Sequence, residues 1–115
     1  LAMGAGASFV ARTTAFHVLE MQSMIKDALQ HPGFSLIEVV SACPVIYGRL
    51  NKKGGAAQML KDFRDNSLPL AAVEKLPPEK VEGKIIRGIL RKEIRPEFAA
   101  EYAALCKRVQ TEGGE

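Results

Sequence analysis

Residues Phe34 to Ala42 carry a single charge, Glu38, in a run otherwise made of apolar and small residues. Pro32-Gly33 in front and Cys43-Pro44 behind limit it to the length of a strand. So little alternation is expected of a strand covered on both faces, as in parallel sheets. Upstream, Ser8-Phe9-Val10-Ala11-Arg12 reads as a second short strand, entered through the small residues Gly4 to Ala7. Thr13 or Thr14 then offers a hydroxyl to cap a helix. In that helix Val18, Met21, Ile25, Ala28 and Leu29 recur at helical spacing and form its inward face. Strand, helix and strand in this order predict a parallel βαβ unit with a right-handed crossover. Cys43 then falls at the carboxyl edge of the sheet, where α/β proteins gather their ligands.

The pattern changes after Asn51. Lys52-Lys53-Gly54-Gly55 is a polar break, and Ala56 to Asp65 predicts a short helix with Ala56, Met59, Leu60 and Phe63 inward. Asn66 to Gly83, with Pro69, Pro77 and Pro78, shows no stable period and is expected to be a surface connector. Lys84 to Arg91 has strand propensity interrupted by Gly88, which predicts an edge strand or an extended arm. Arg95-Pro96-Glu97 marks the start of a last helix with Phe98, Tyr102, Leu105, Cys106 and Val109 on one face. Gly113-Gly114-Glu115 is expected to fray. The fold class is therefore α/β, divided into residues 1–65 and an extended arm with its terminal helix, residues 66–115.

With 115 residues, 47% hydrophobic and 25% charged, the chain can bury a core without disulfides. Residues 1–10 carry no export signal, so Cys43 and Cys106 are expected to be reduced thiols in the cytoplasm. No apolar stretch reaches the roughly 20 residues that cross a bilayer. A net charge of +3, with cations interleaved among acids as in Lys61-Asp62-Phe63-Arg64-Asp65, lacks the basic stripe expected of a nucleic-acid binder. The chain begins at Leu1 and reaches Met3 third, as a cloning remnant or the cut edge of a longer polypeptide would; the second is the preferred expectation.

No C-x-x-C, G-x-x-x-x-G-K-[ST], G-x-S-x-G or H-E-x-x-H occurs, and Gly4-Ala5-Gly6 does not continue into a dinucleotide pattern. His17 and His31 stand at opposite ends of one predicted helix, roughly 21 Å apart at about 1.5 Å per residue, too far to share a metal. Both read as structural, His31 at the negative helix end. Cys106 reads as packing on its helical face. Cys43 keeps two readings, a buried core thiol or a functional one at the rim.

Three strings carry a resemblance: Gly6-Ala7-Ser8-Phe9-Val10-Ala11-Arg12, Gly33-Phe34-Ser35-Leu36-Ile37-Glu38-Val39, and above all Ser41-Ala42-Cys43-Pro44-Val45-Ile46-Tyr47-Gly48-Arg49-Leu50-Asn51. Together they resemble the thiamine-diphosphate-binding β subunit of 2-oxoacid:ferredoxin oxidoreductases, within it the 2-oxoglutarate branch. The likeness is strongest from residue 4 to about residue 60 and looser from Gly83 to Tyr102. It implies the C-terminal part of that subunit, with residues 1–65 ending the thiamine-diphosphate-binding domain. It also implies oxidative decarboxylation of a 2-oxoacid to an acyl-CoA, with ferredoxin as electron acceptor and an α subunit, and further subunits, as partners.

The cofactors so implied are thiamine diphosphate, Mg2+ and a [4Fe–4S] cluster, with Cys43 the cluster ligand that comes late in the family's sequence. Such a cluster takes four cysteine thiolates. The other three, and the Gly-Asp-Gly motif for magnesium and diphosphate, are missing here. Tyr47 and Asn51 receive no role, and Arg49 reads either as a surface residue of the turn or as a charge for a substrate carboxylate or neighbouring subunit.

Two other readings stand beside this one. The chain could be a self-contained α/β interaction module with a buried Cys43, or carry Cys43 as a redox-sensing thiol. A severed sheet is expected to expose apolar surface, and a module is not.

Overall fold

A computed structural model describes residues 1–112, so the expected frayed end, Gly113-Gly114-Glu115, lies outside the described residues. Strand β1 (Phe9–Thr14), helix α1 (Val18–Gln30) and strand β2 (Ser35–Val40) form the expected βαβ unit. β1 and β2 are parallel and in register from Phe9 opposite Ser35 to Thr14 opposite Val40. The strand runs two residues further than expected, and the helix starts later. Thr14 Oγ1 is engaged with His17 Nδ1 at 2.8 Å, so neither threonine caps α1, and His17 occupies the N-cap position.

After β2 come a π-helical turn (Pro44–Gly48), α2 (Ala56–Asp65), β3 (Ser67–Pro69), α3 (Leu70–Val73), α4 (Pro78–Val81), β4 (Ile85–Lys92) and α5 (Phe98–Glu112). The proline-rich stretch expected as a plain connector thus holds three short elements. The strands form one sheet in the order β2-β1-β4-β3.

Two expectations about the strands are corrected. β2 is an edge strand and is not covered on both faces: Ser35 and Ile37 are half-buried on one face, Leu36 and Glu38 are exposed on the other, and at its end Val39 is exposed and Val40 half-buried. β4 is interior. It runs parallel to β3 over Ile85–Arg87 and antiparallel to β1 from Gly88 to Lys92. Gly88 stands where the partner changes. Its φ of +139° is one that L side chains rarely adopt, and a Cβ there would come 3.1 Å from the Leu70 Cβ on α3. An irregularity in the register follows at Val10 and Ala11 of β1.

The core is small. Phe9, Ala11 and Met24 are buried, with Ala28, Ile37 and Ile89 packed against them. The inward face of α1 is therefore centred on Met24 and Ala28, whereas Val18, Ile25 and Leu29, expected inside, are exposed. On α2 the expected inward face is partly kept, with Met59 buried, Phe63 half-buried, and Ala56 and Leu60 exposed.

α5 leaves the body of the molecule. Glu97 accepts hydrogen bonds from the backbone N–H groups of Ala99 (2.9 Å) and Ala100 (3.2 Å), a carboxylate cap beyond Pro96. Its apolar face, Phe98, Tyr102, Leu105 and Val109, is exposed, so Cys106 is not packed into a core of this chain. The radius of gyration is 19.9 Å, against about 13 Å for a compact chain of ~100 residues. With this helix outstretched the molecule measures 71 × 35 × 23 Å.

Candidate functional site

β2 stops at Val40, and Ser41-Ala42 lead to Cys43 at the rim of the sheet. Pro44, which has no N–H to donate, opens the turn, a position that costs nothing in hydrogen bonding. The Gly48 N–H donates to the Cys43 carbonyl at 2.9 Å and closes the wide loop. Backbone hydrogen bonding from that loop, Tyr47 foremost, then Ile46 and more weakly Val45, lowers the pKa of the Cys43 thiol against an upward pull from desolvation. Cys43 is exposed, which corrects the buried-thiol reading.

The turn is clamped from below by α2. Gly48 is buried, and a Cβ there would come 2.7 Å from Met59 Sδ, so a side chain at this position would have to displace the methionine. Asn51, left without a role by the sequence, donates both its backbone N–H (3.0 Å) and its Nδ2 (2.9 Å) to the Tyr47 carbonyl. The Lys53 N–H donates to the Gly48 carbonyl at 2.9 Å. Beside the thiol a cleft of about 530 Å³ is lined by Cys43, Tyr47, Lys53, Asp62 and Phe63 among others. Arg49 is exposed in the same turn.

A second polar group was not legible beforehand, because it joins residues far apart in the chain. Arg87 on β4 donates to Glu20 Oε2 on α1 at 2.8 Å, across 67 residues. Thr13 Oγ1 donates to the same oxygen at 3.2 Å. His17 lies beside them, its pKa lowered by burial and by the Arg87 charge, against an opposing pull from Glu20. The Ala15 N–H donates to the Val40 carbonyl at 2.9 Å, so this cluster and the Cys43 turn share one edge of the sheet. His31 has the structural role expected: its Nε2 lies 3.1 Å from Ser8 Oγ and its ring 5.4 Å from that of Phe9.

An exposed thiol at the end of a strand suits one corner of an iron–sulfur cluster. Among the described residues no three His, Cys, Asp or Glu side chains come together as a metal site. Cys43 would thus serve beside thiolates from outside this chain. For thiamine diphosphate the sequence holds no Gly-Asp-Gly, so the residues present do not form its magnesium site.

The architecture is a mixed α/β fold with a four-stranded sheet. It superposes with a TM-score of 0.68 on the 2-oxoglutarate:ferredoxin oxidoreductase from Magnetococcus marinus, solved with 2-oxoglutarate, coenzyme A and succinyl-CoA bound. The match covers 94% of this chain and 37% of that one at 24% identity, a likeness of fold. In sequence, this chain is a homologue of the β subunits of 2-oxoacid:ferredoxin oxidoreductases. It is 42% identical over 109 residues to the 2-oxoglutarate synthase subunit KorB of Methanothermobacter marburgensis, covering 95% of this chain and 36% of that protein. Its identity to KorB of Methanocaldococcus jannaschii is 38% over 112 residues, covering 97% and 42%. A 2-oxoacid:ferredoxin oxidoreductase subunit beta of Sulfolobus is 35% identical over 89 residues, 77% of this chain and 28% of that protein. The chain thus spans roughly two fifths or less of the relatives it matches. No protein-family model matches it.

Proposed function

We propose that this chain forms part of the β subunit of an enzyme that oxidatively decarboxylates a 2-oxoacid, 2-oxoglutarate by preference, to an acyl-CoA and reduces ferredoxin. The observation that carries the proposal is the Cys43 turn: an exposed thiol at a strand end, its thiolate form favoured by N–H groups of Tyr47, Ile46 and Val45. The homologues bearing 2-oxoglutarate synthase and 2-oxoacid:ferredoxin oxidoreductase names support it. When bound, a [4Fe–4S] cluster would relay electrons towards ferredoxin, and thiamine diphosphate with Mg2+, held by residues outside this chain, would supply the carbanion chemistry.

Cys43 contributes one thiolate ligand. The turn holds that sulfur in place through the Gly48–Met59 contact and the Asn51 hydrogen bonds. Backbone N–H groups of the turn would stabilise negative charge on the sulfur that Cys43 offers to a bound cluster. In the division proposed here residues 1–65 end the thiamine-diphosphate domain, and 66–115 complete its sheet through β4 and reach towards the α subunit through α5. The exposed apolar residues of α5 and of the rim, Phe98, Tyr102, Val45 and Leu50, favour a chain seated in a larger assembly over a self-contained module. A cytoplasmic location belongs to the same proposal.

The test is Cys43→Ser in the full-length protein reconstituted without oxygen. The expected result is loss or marked change of the [4Fe–4S] electron paramagnetic resonance signal, with lower iron and labile sulfide. An unaltered signal removes Cys43 from the ligand set.

A further inference from the structure

Glu20 stands in the first turn of α1, three residues after the N-cap His17, where the helix dipole favours a carboxylate. From that place a glutamate can reach back to the N-cap N–H and close a capping box. Here it does not, because the His17 N–H donates to the Thr14 carbonyl at 3.0 Å. Glu20 Oε2 instead receives Arg87 Nη1 at 2.8 Å and Thr13 Oγ1 at 3.2 Å. Thr13 is fully buried, and the ion pair is partly withdrawn from solvent, its side chains 18% (Arg87) and 27% (Glu20) exposed. Arg87 Nε is buried and finds no acceptor among the described residues.

These bonds fix the loop between β1 and α1, and that loop supports Cys43 from two sides. The Ala15 N–H donates to the Val40 carbonyl at 2.9 Å, at the point where the chain leaves β2 for Cys43. Because β2 is an edge strand paired only to β1 among the described residues, its end rests on this contact. Phe16, the next residue of the loop, has its ring 6.0 Å from the Arg64 guanidinium of α2, the helix against which Gly48 is pressed. Asp65 holds that guanidinium through bonds of 2.7 and 3.1 Å.

We propose that Glu20 is a positioning residue for the Cys43 sulfur. This rests on the preceding reading of Cys43 as a cluster ligand. The carboxylate joins Thr13 to Arg87, that junction fixes residues 14–17, and these hold both the strand end ahead of Cys43 and the helix beneath its turn. A partly buried ion pair is weak evidence for stability, but removing one partner leaves the other's charge unmatched. Neutralising Glu20 deprives Arg87 of its acceptor and weakens the tie to Thr13, so the loop relaxes and the sulfur with it. The thiolate ligand remains; its placement is what degrades.

The experiment compares the full-length, anaerobically reconstituted protein with its Glu20→Gln and Thr13→Val variants, the second of which breaks one bond without changing charge. In Glu20→Gln, iron and labile sulfide are expected to stay close to wild type while the electron paramagnetic resonance signal broadens and shifts. Hydrogen–deuterium exchange is expected to quicken about tenfold both at residues 14–18 and in the turn at 43–49. Thr13→Val should move both readouts the same way by less, and it decides alone if Glu20→Gln does not assemble. Faster exchange at 14–18 with the turn and the spectrum unchanged overturns the proposal. So does a lowered melting temperature with neither readout moved, which would leave the ion pair a purely structural tie. Exchange reads the turn without reference to the cluster. An unaltered signal in Cys43→Ser is therefore a separate failure, that of the ligand reading.

Discussion

Gly48 lies against Met59 with no room between them: a Cβ on the glycine would stand 2.7 Å from the methionine sulfur, well inside van der Waals contact. The contact presses the Cys43 turn onto α2 and sets where the thiol stands. Gly48→Ala is expected to cost about 1–3 kcal/mol by overpacking. It should also lower the cluster content of the full-length protein. Met59→Ala in the same chain removes the obstructing sulfur, so the double variant should be more stable than the sum of the two single changes implies. Urea melts of the four proteins check this, and strict additivity would contradict the proposed clamp.

His17 makes stability depend on pH. Burial, then the Arg87 charge, lowers its pKa below the ordinary 6.5, with Glu20 pulling the other way. The unfolded chain therefore binds a proton that the folded one resists. The contribution is fully present above about pH 6.5 and is lost as pH falls through the lowered folded value. His17→Asn should flatten this part of the profile. Urea midpoints of the full-length protein at pH 8 and pH 5 are the measurement, and a parallel loss in wild type and variant would count against the assignment.

The two halves of the last third of the chain should respond differently to truncation. Removing residues 97–115 takes away a helix whose apolar residues Phe98, Tyr102, Leu105 and Val109 are exposed, so the sheet should remain folded and subunit assembly should weaken. Removing 84–115 also takes away β4, the strand between β1 and β3, and should unfold the domain. Circular dichroism reads the first property and size exclusion the second. Intact assembly after loss of 97–115 would show that α5 is not an assembly element.

Much of this was open to a reader of the residues. The βαβ unit was legible because its hydrophobic periods and its Pro32-Gly33 stop are local. Cys43 was legible as a rim residue because Pro44 and Gly48 punctuate the chain around it. The inward face of α1 was misassigned, since Val18 and Leu29 follow helical spacing yet meet no partner here. Helical spacing says which residues share a face but not what lies opposite.

The order of residues by itself determined the local elements, the Pro44 and Gly48 that punctuate the Cys43 turn, and the cluster of cations around that cysteine. These depend on backbone sterics, on hydrophobic period and on charge, all readable within a few residues. Only the tertiary structure decided that β4 is interior and β2 an edge, that Arg87 finds Glu20, and that the Cys43 thiol faces solvent. Those outcomes arise from strand pairing and packing between distant segments, whose energies are set by which surfaces meet and not by any neighbour in sequence.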